Sequence, residues 1–204
     1  MKRATKRKTR ENPKPCEPIT VMIVRHGDAG GERLPGEVGV PLTPRGRKQA
    51  ARLGKRLASE KFDHIYASDL ERARATAEAV VPYHKGTPFT ITPDIREVHS
   101  YHTNYERNYG GRHLLRRLHE EHARAERFAK MLLRKHKPGD RVLVVAHGCL
   151  IRLLVSILCG LGPKQCPVFA SRNTSVTLLH VWKDRRPSIV LANCVAHLTP
   201  QLVS

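Results

Sequence analysis

The sequence predicts an α/β protein, a three-layer α/β/α sandwich built around a mostly parallel central sheet. Its 204 residues alternate between strand-like and helix-like segments in the order β-α-β-α-β-α-β-α-β-β, a pattern that places helices on both faces of such a sheet. Two strand segments, Ile19–Val24 and Val142–Ala146, are continuous apolar runs, as expected for strands that are covered on both faces. A hydrophobic fraction of 40% is enough for a real core.

Each of the other predicted segments has its own local signal. Thr43-Pro44 supplies an N-cap and a first helical position, and apolar residues recur at helical spacing behind it. We expect Ser68 or Asp69 to cap the second helix. The other predicted segments are strands at 64–67 and 89–92, a long amphipathic helix after 112, a helix at 149–159 and a closing hairpin of 176–182 with 188–193.

Charge divides the chain into two parts. The formal net charge is +19, and residues 1–18 hold seven Lys/Arg against two Glu, so we interpret them as a flexible basic tail of charge +5. The folded domain, residues 19–204, then carries 19 − 5 = +14. Such an excess indicates an anionic partner: phosphorylated molecules, an acidic membrane surface or nucleic acid.

Composition also limits the cellular context. Five cysteines, an odd number with no C-x-x-C pair, favour a reducing compartment and indicate neither a disulfide framework nor a zinc site. No secretory signal and no apolar run long enough to span a membrane is present. We therefore expect a cytoplasmic protein, with a nuclear address at Lys6-Arg7-Lys8 as the alternative. Direct nucleic-acid binding by the tail is less favoured, and nothing indicates an oligomeric state.

Two strands end in the same dipeptide. Arg25-His26-Gly27 follows the first apolar strand, and His147-Gly148 follows the second. Ligands of open α/β sheets bind beyond the carboxyl ends of the strands, so both pairs belong to the functional edge. Arg72 falls in the first turn of the second helix, where a buried cation needs an anion to compensate it. We expect Arg25, His26, Arg72 and His147 together to form a pocket suited to a dianionic phosphoryl group.

Four blocks in this order resemble the histidine phosphatase (phosphoglycerate mutase-like) superfamily. They are V-R-H-G at 24–27, L-T-P-R-G-R-K-Q-A-A-R-L-G at 42–54, S-D-L-E-R-A-R-A-T-A-E at 68–78 and V-V-A-H-G at 144–148. Later matches are Asn173-x-Ser175 and Asn193-x-x-x-His197-Leu198, so the resemblance covers about residues 19–198. It implies a phosphoglycerate mutase-like fold.

The resemblance implies a metal-independent phosphohydrolase of the histidine acid phosphatase type, with no cofactor. His26 would attack phosphorus and become a transient phosphohistidine. Arg25, Arg72 and His147 would hold the non-bridging oxygens and stabilise charge in the transition state. Glu97, in Ile95-Arg96-Glu97, stands where the family usually supplies the general acid.

Two departures from the family pattern leave the substrate open. Asp28-Ala29 after R-H-G resembles the small phosphohistidine phosphatases, some of which manage without a strong acid, and the usual G-x-[WY]-E-G after Glu97 is absent. The cap segment, residues 98–112, is short, which favours an open pocket and a phosphorylated small molecule or phosphoprotein as substrate. Two alternatives stay open: a phosphoglycerate mutase-type phosphotransferase, and a non-catalytic basic module that binds phosphate or nucleic acid.

Overall fold

The computed structural model describes residues 17–30, 39–98, 112–161 and 169–204. Within these ranges the predicted order of strands and helices is confirmed. The elements are β1 Ile19–Arg25, α1 Pro44–Leu57, β2 His64–Ser68, α2 Glu71–Glu78, β3 Phe89–Thr92, α3 Arg112–Lys135, β4 Arg141–Ala146, α4 Gly148–Leu158, β5 Val176–Val181 and β6 Ser188–Cys194. Short 3-10 turns lie at 81–83, 93–95 and 200–202.

The strands form one sheet in the order β3-β2-β4-β1-β5-β6. The first four strands of this order run parallel, whereas β5 and β6 are antiparallel to their neighbours. This confirms the predicted α/β class and its mostly parallel sheet. In the pairing of β1 with β4, Arg25 stands opposite Ala146, so the residues that follow these two strands emerge side by side at one edge.

Alternate residues of β1 supply two separate cores. Val21 and Ile23 pack in the core beneath α3 and α4, while Met22 and Val24 pack in the core beneath α1 and α2. A strand directs successive side chains to opposite faces, and a continuous apolar run therefore fits only a strand that is covered twice. The cores separate the three predicted layers and hold the sheet edge in place between them.

The start of α1 follows the sequence prediction, but the start of α2 does not. Thr43 caps α1 by accepting a hydrogen bond from the Gly46 amide at 3.0 Å. The N-cap position of α2 is Leu70, which makes no side-chain cap, so the expected cap by Ser68 or Asp69 is wrong. Both side chains make tertiary contacts instead. Asp69 accepts two hydrogen bonds from Arg96, and the Ser68 hydroxyl contacts His147, which follows β4.

Two sequence predictions fall almost wholly outside the described residues. The basic tail of residues 1–18 is described only from residue 17, and of the cap segment at 98–112 only the two end residues are described. The long helix begins at Arg112, so this last residue of the predicted cap segment belongs to the helix. Among the described residues, no helix combines the length and the apolar character that crossing a bilayer requires.

Candidate active site

His26 and His147 meet at the edge where β1 and β4 end. Their ring centroids are 5.1 Å apart, and the rings are inclined at 60°. Both residues are buried, with 2% and 0% of their surface exposed. The amide of His26 donates to the carbonyl of Ala146 at 2.9 Å, which continues the strand pairing up to the site. The two His-Gly pairs that the sequence singled out are thus brought together.

Hydrogen bonds fix the tautomer of His26. Its Nδ1 lies 2.6 Å from the carbonyl oxygen of Gly27, which can only accept, so Nδ1 carries the proton. The Nε of Arg72 donates to His26 Nε2 at 3.2 Å, so Nε2 carries a lone pair. His26 therefore presents an unprotonated nitrogen next to a guanidinium group, the state that a nucleophile needs.

His147 has the opposite assignment. Ser68 Oγ accepts from the Leu70 amide at 3.3 Å and lies 2.9 Å from His147 Nε2. The Ser68 hydroxyl proton has no other acceptor in the described contacts, so it points to Nε2 and leaves the proton of the ring on Nδ1. This buried Nδ1–H makes no hydrogen bond within the described part of the chain.

The surroundings of His147 favour the neutral form of its ring. Burial lowers the pKa well below its ordinary value of 6.5, and the neighbouring His26, Arg72 and Arg25 lower it further. A neutral imidazole whose Nδ1–H has no acceptor among the described residues can donate to an oxygen of a bound ligand. The chemistry available here is that of a hydrogen-bond donor, not of a permanent cation.

Two arginines give the site its positive charge. Arg72 is the second residue of α2 and is 7% exposed, so its cation is buried at the positive end of a helix. Arg25 ends β1 and donates from Nη1 to the carbonyl of Ser171. A Cβ on Gly148 would lie 3.4 Å from Arg25 Nε, so glycine lets the guanidinium pack closely against the start of α4. The pair favours a dianionic ligand.

Glu97 lies at the same edge, half-buried at the N-terminus of α4. Its carboxylate accepts from the amides of Leu150 at 3.0 Å, Cys149 at 3.5 Å and Val98 at 3.1 Å. Burial raises the pKa of Glu97, and these amides together with Arg25 only partly oppose that rise. A carboxyl group with a raised pKa is suited to donating a proton.

Sequence reasoning missed two hydroxyl groups, of Thr76 and Ser68, and one guanidinium group, of Arg124, that position these side chains. Thr76 Oγ1 accepts from the Gly27 amide at 3.0 Å and donates to the Arg72 carbonyl at 2.7 Å, linking the two predicted halves of the site. Ser68 orients His147, as described above. Arg124 donates to the Glu97 carbonyl at 3.2 Å. Only Thr76 had a signal, its position one helical turn after Arg72.

Asn173 and Thr174, in the later motif, hydrogen-bond the backbone at the end of β1. The Asn173 side chain donates to the His26 carbonyl at 2.9 Å. Thr174, at a φ of 54°, donates from its amide to the Arg25 carbonyl at 3.0 Å. Within the described residues, no group of three or more His, Cys, Asp or Glu is arranged to hold a metal ion, and metal independence stays a prediction.

Known proteins resemble this chain in sequence and in fold. The model of the histidine phosphatase superfamily (branch 1) matches residues 21–195. A probable phosphoglycerate mutase of Photorhabdus laumondii is 31% identical, over 78% of this chain and 83% of its own length. A mitochondrial serine/threonine-protein phosphatase of Caenorhabditis briggsae is 26% identical, over 98% of this chain and 71% of its own length. The solved mycobacterial glucosyl-3-phosphoglycerate phosphatase superposes with a TM-score of 0.68 at 23% identity, covering 86% of this chain and 98% of that one.

Proposed function

Since the chain belongs to the histidine phosphatase superfamily (branch 1), we propose that it hydrolyses a phosphomonoester, or protein phosphohistidine, through a phosphohistidine on His26. One observation carries the proposal: Nδ1 of His26 is tied to the Gly27 carbonyl, which leaves the Nε2 lone pair beside the Arg72 guanidinium. A nucleophilic nitrogen and a phosphate-binding cation are thereby adjacent.

The first step transfers the phosphoryl group to the enzyme. Nε2 of His26 forms a bond to phosphorus while the bond from phosphorus to the leaving oxygen breaks. The ring gains positive charge, and the hydrogen bond from Nδ1–H to the Gly27 carbonyl stabilises it. The leaving oxygen takes a proton from Glu97, whose raised pKa keeps that proton available.

The second step releases phosphate. A water oxygen attacks phosphorus, the bond to His26 Nε2 breaks, and the Glu97 carboxylate takes the proton of the water. Arg25 and Arg72 offset the charge that develops on the non-bridging oxygens, and His147 Nδ1–H donates to one of them. Each group thus returns to the state in which it started.

The names of the relatives support a phosphorylated substrate, and one of them favours a second candidate activity. Their printed names include a protein phosphatase, a phosphatase of a small phosphorylated metabolite and a probable phosphoglycerate mutase. The mutase name favours the phosphotransferase alternative, in which the phosphoryl group passes from His26 to a second hydroxyl rather than to water. A non-catalytic phosphate-binding module would need neither the His26 tautomer nor a proton donor at Glu97.

A phosphoenzyme assay tests the proposal. We expect para-nitrophenyl phosphate turnover to fall about 10³-fold or more in His26→Ala, because the nucleophile is lost. His119→Ala is the matched control, since His119 is exposed on α3 and takes no part in the contacts described for the site. Brief incubation of the wild type with a ³²P-labelled substrate should give an acid-labile label on the protein that the His26 variant lacks.

The outcomes separate the candidates. Label that leaves as inorganic phosphate supports a phosphatase, whereas label that is recovered on added 3-phosphoglycerate supports the phosphotransferase. Wild-type turnover in His26→Ala would refute the covalent mechanism. No turnover and no label in the wild type, tested across sugar phosphates, nucleotides, phosphopeptides and phosphohistidine, would favour the non-catalytic module.

A further inference from the structure

A cationic cavity lies apart from the candidate active site, between the end of α1 and the segment after β6. Its volume is about 420 Å³, and its lining residues are Arg52, Lys55, Arg56, Ala196 and His197. None of the four residues of the phosphate pocket lines it. The cavity and the cluster of cations therefore form a separate feature, which the proposed mechanism does not use.

The three cations share one face of α1. Positions 52, 55 and 56 are spaced by three and four residues, so their side chains are neighbours and repel one another. The negative end of the α1 dipole favours cations in the last turn, but its charge of about −0.5 cannot balance three of them. Among the described residues, no carboxylate forms an ion pair with any of the three.

One of these cations is held in place by the protein. Arg56 donates to the Cys194 carbonyl and to its Sγ, both at 3.3 Å, and to His197 Nδ1 at 3.0 Å. His197 Nε2 lies 3.1 Å from Thr174 Oγ1, which itself donates to the Asn173 carbonyl. An arginine that the protein holds fixed in a cavity wall is preorganised for an anion, whereas Arg52 and Lys55, which also line the cavity, are exposed.

We propose that this cavity binds a small anion carrying at least two phosphate groups. Three positive charges that no carboxylate of the described residues balances favour a ligand with two or three negative charges, whereas one phosphate monoester carries only about 1.5 to 2 at pH 7. The guanidinium forks match phosphate oxygens, and a cavity of this volume lies within the range of about 300–1,000 Å³ that small-molecule sites occupy.

The site connects directly to the loop that holds the nucleophile. His197 contacts the Thr174 hydroxyl at 3.1 Å, and the Thr174 amide donates to the carbonyls of Arg25 and His26 at 3.0 and 3.3 Å. One residue thus separates the cavity wall from His26. Binding at the cavity does not depend on the phosphatase mechanism, so the two proposals can fail independently.

Calorimetry with inorganic pyrophosphate tests the proposal. The variant Arg52→Gln/Lys55→Gln removes two charges from exposed side chains, and Lys61→Gln/Lys85→Gln removes the same charge from exposed positions elsewhere. We expect wild type and control to bind pyrophosphate at the cavity and at the phosphate pocket. The cavity variant should lose one of the two sites, with affinity there reduced at least tenfold. Unchanged binding in that variant, or an equal loss in the control, would overturn the proposal.

A second readout locates the ligand. Pyrophosphate should shift the ring resonances of His197 in wild type and in the control, and should leave them unmoved in the cavity variant. Shifts confined to His26 and His147 would overturn the proposal. The proposal would also be overturned if Arg52 and Lys55 were needed for binding an oligonucleotide or phosphatidylserine vesicles but not for binding pyrophosphate. The ligand would then be a macromolecule or a membrane surface.

Discussion

The hydroxyl of Thr76 joins the two halves of the candidate active site, and Thr76→Val removes it at nearly constant volume. Thr76 is fully buried, accepts from the Gly27 amide at 3.0 Å and donates to the Arg72 carbonyl. In the valine variant the Gly27 N–H stays buried without an acceptor, which costs about 1–3 kcal/mol. At about 1.4 kcal/mol per tenfold, the unfolding equilibrium constant should rise about 5- to 150-fold.

Thr76→Ser gives the opposite pattern and serves as the control. Serine keeps the hydroxyl and loses one buried methyl group, at about 0.8 kcal/mol. In urea unfolding followed by circular dichroism, valine should be the less stable variant. In para-nitrophenyl phosphate assays, valine should lower kcat about 10- to 100-fold, because the Gly27 carbonyl that orients His26 moves, while serine stays near wild type. Valine within about 0.5 kcal/mol of wild type, with unchanged kcat, would refute this role.

Two further predictions concern pH. Glu97→Gln should lower kcat/KM about 100-fold or more for an alkyl phosphate, but less than about 10-fold for an aryl phosphate with a good leaving group. Wild-type activity should fall as pH rises through the raised pKa of Glu97, and this fall should vanish in the variant. Equal losses on both substrates would contradict the acid role. Burial, with Lys135 and His136, lowers the pKa of His64 to about 4 from 6.5, so its folded form resists protonation and stability should fall as pH drops from 6.5 to 4. This lowering of the pKa corresponds to a loss of about 1–3 kcal/mol. In urea unfolding, His64→Gln should show a smaller loss than the wild type, and an identical loss would contradict the assignment.

The order of the elements and the gathering of Arg25, His26, Arg72 and His147 follow from local rules. Apolar runs and helical spacing identify strands and helices, and parallel strands bring their carboxyl ends to one edge. The hydroxyl contacts do not follow from such rules. Thr76 and Gly27 are 49 positions apart, and the cap expected from Ser68 fails because its hydroxyl is nearer to a histidine 79 positions away. Packing decides which distant partner a hydroxyl takes, so a local position such as that of Thr76, one helical turn after Arg72, does not identify that partner.

The two His-Gly pairs show how far this distinction matters for chemistry. In the sequence His26-Gly27 and His147-Gly148 look equivalent, each following a buried strand. In the structure the Gly27 carbonyl holds the proton of one ring on Nδ1, and the Ser68 hydroxyl directs its own proton to Nε2 of the other. The first ring therefore presents a lone pair and the second an N–H. A nucleophile and a donor for the phosphoryl oxygens thus arise from one residue type, because a carbonyl accepts where a hydroxyl can give.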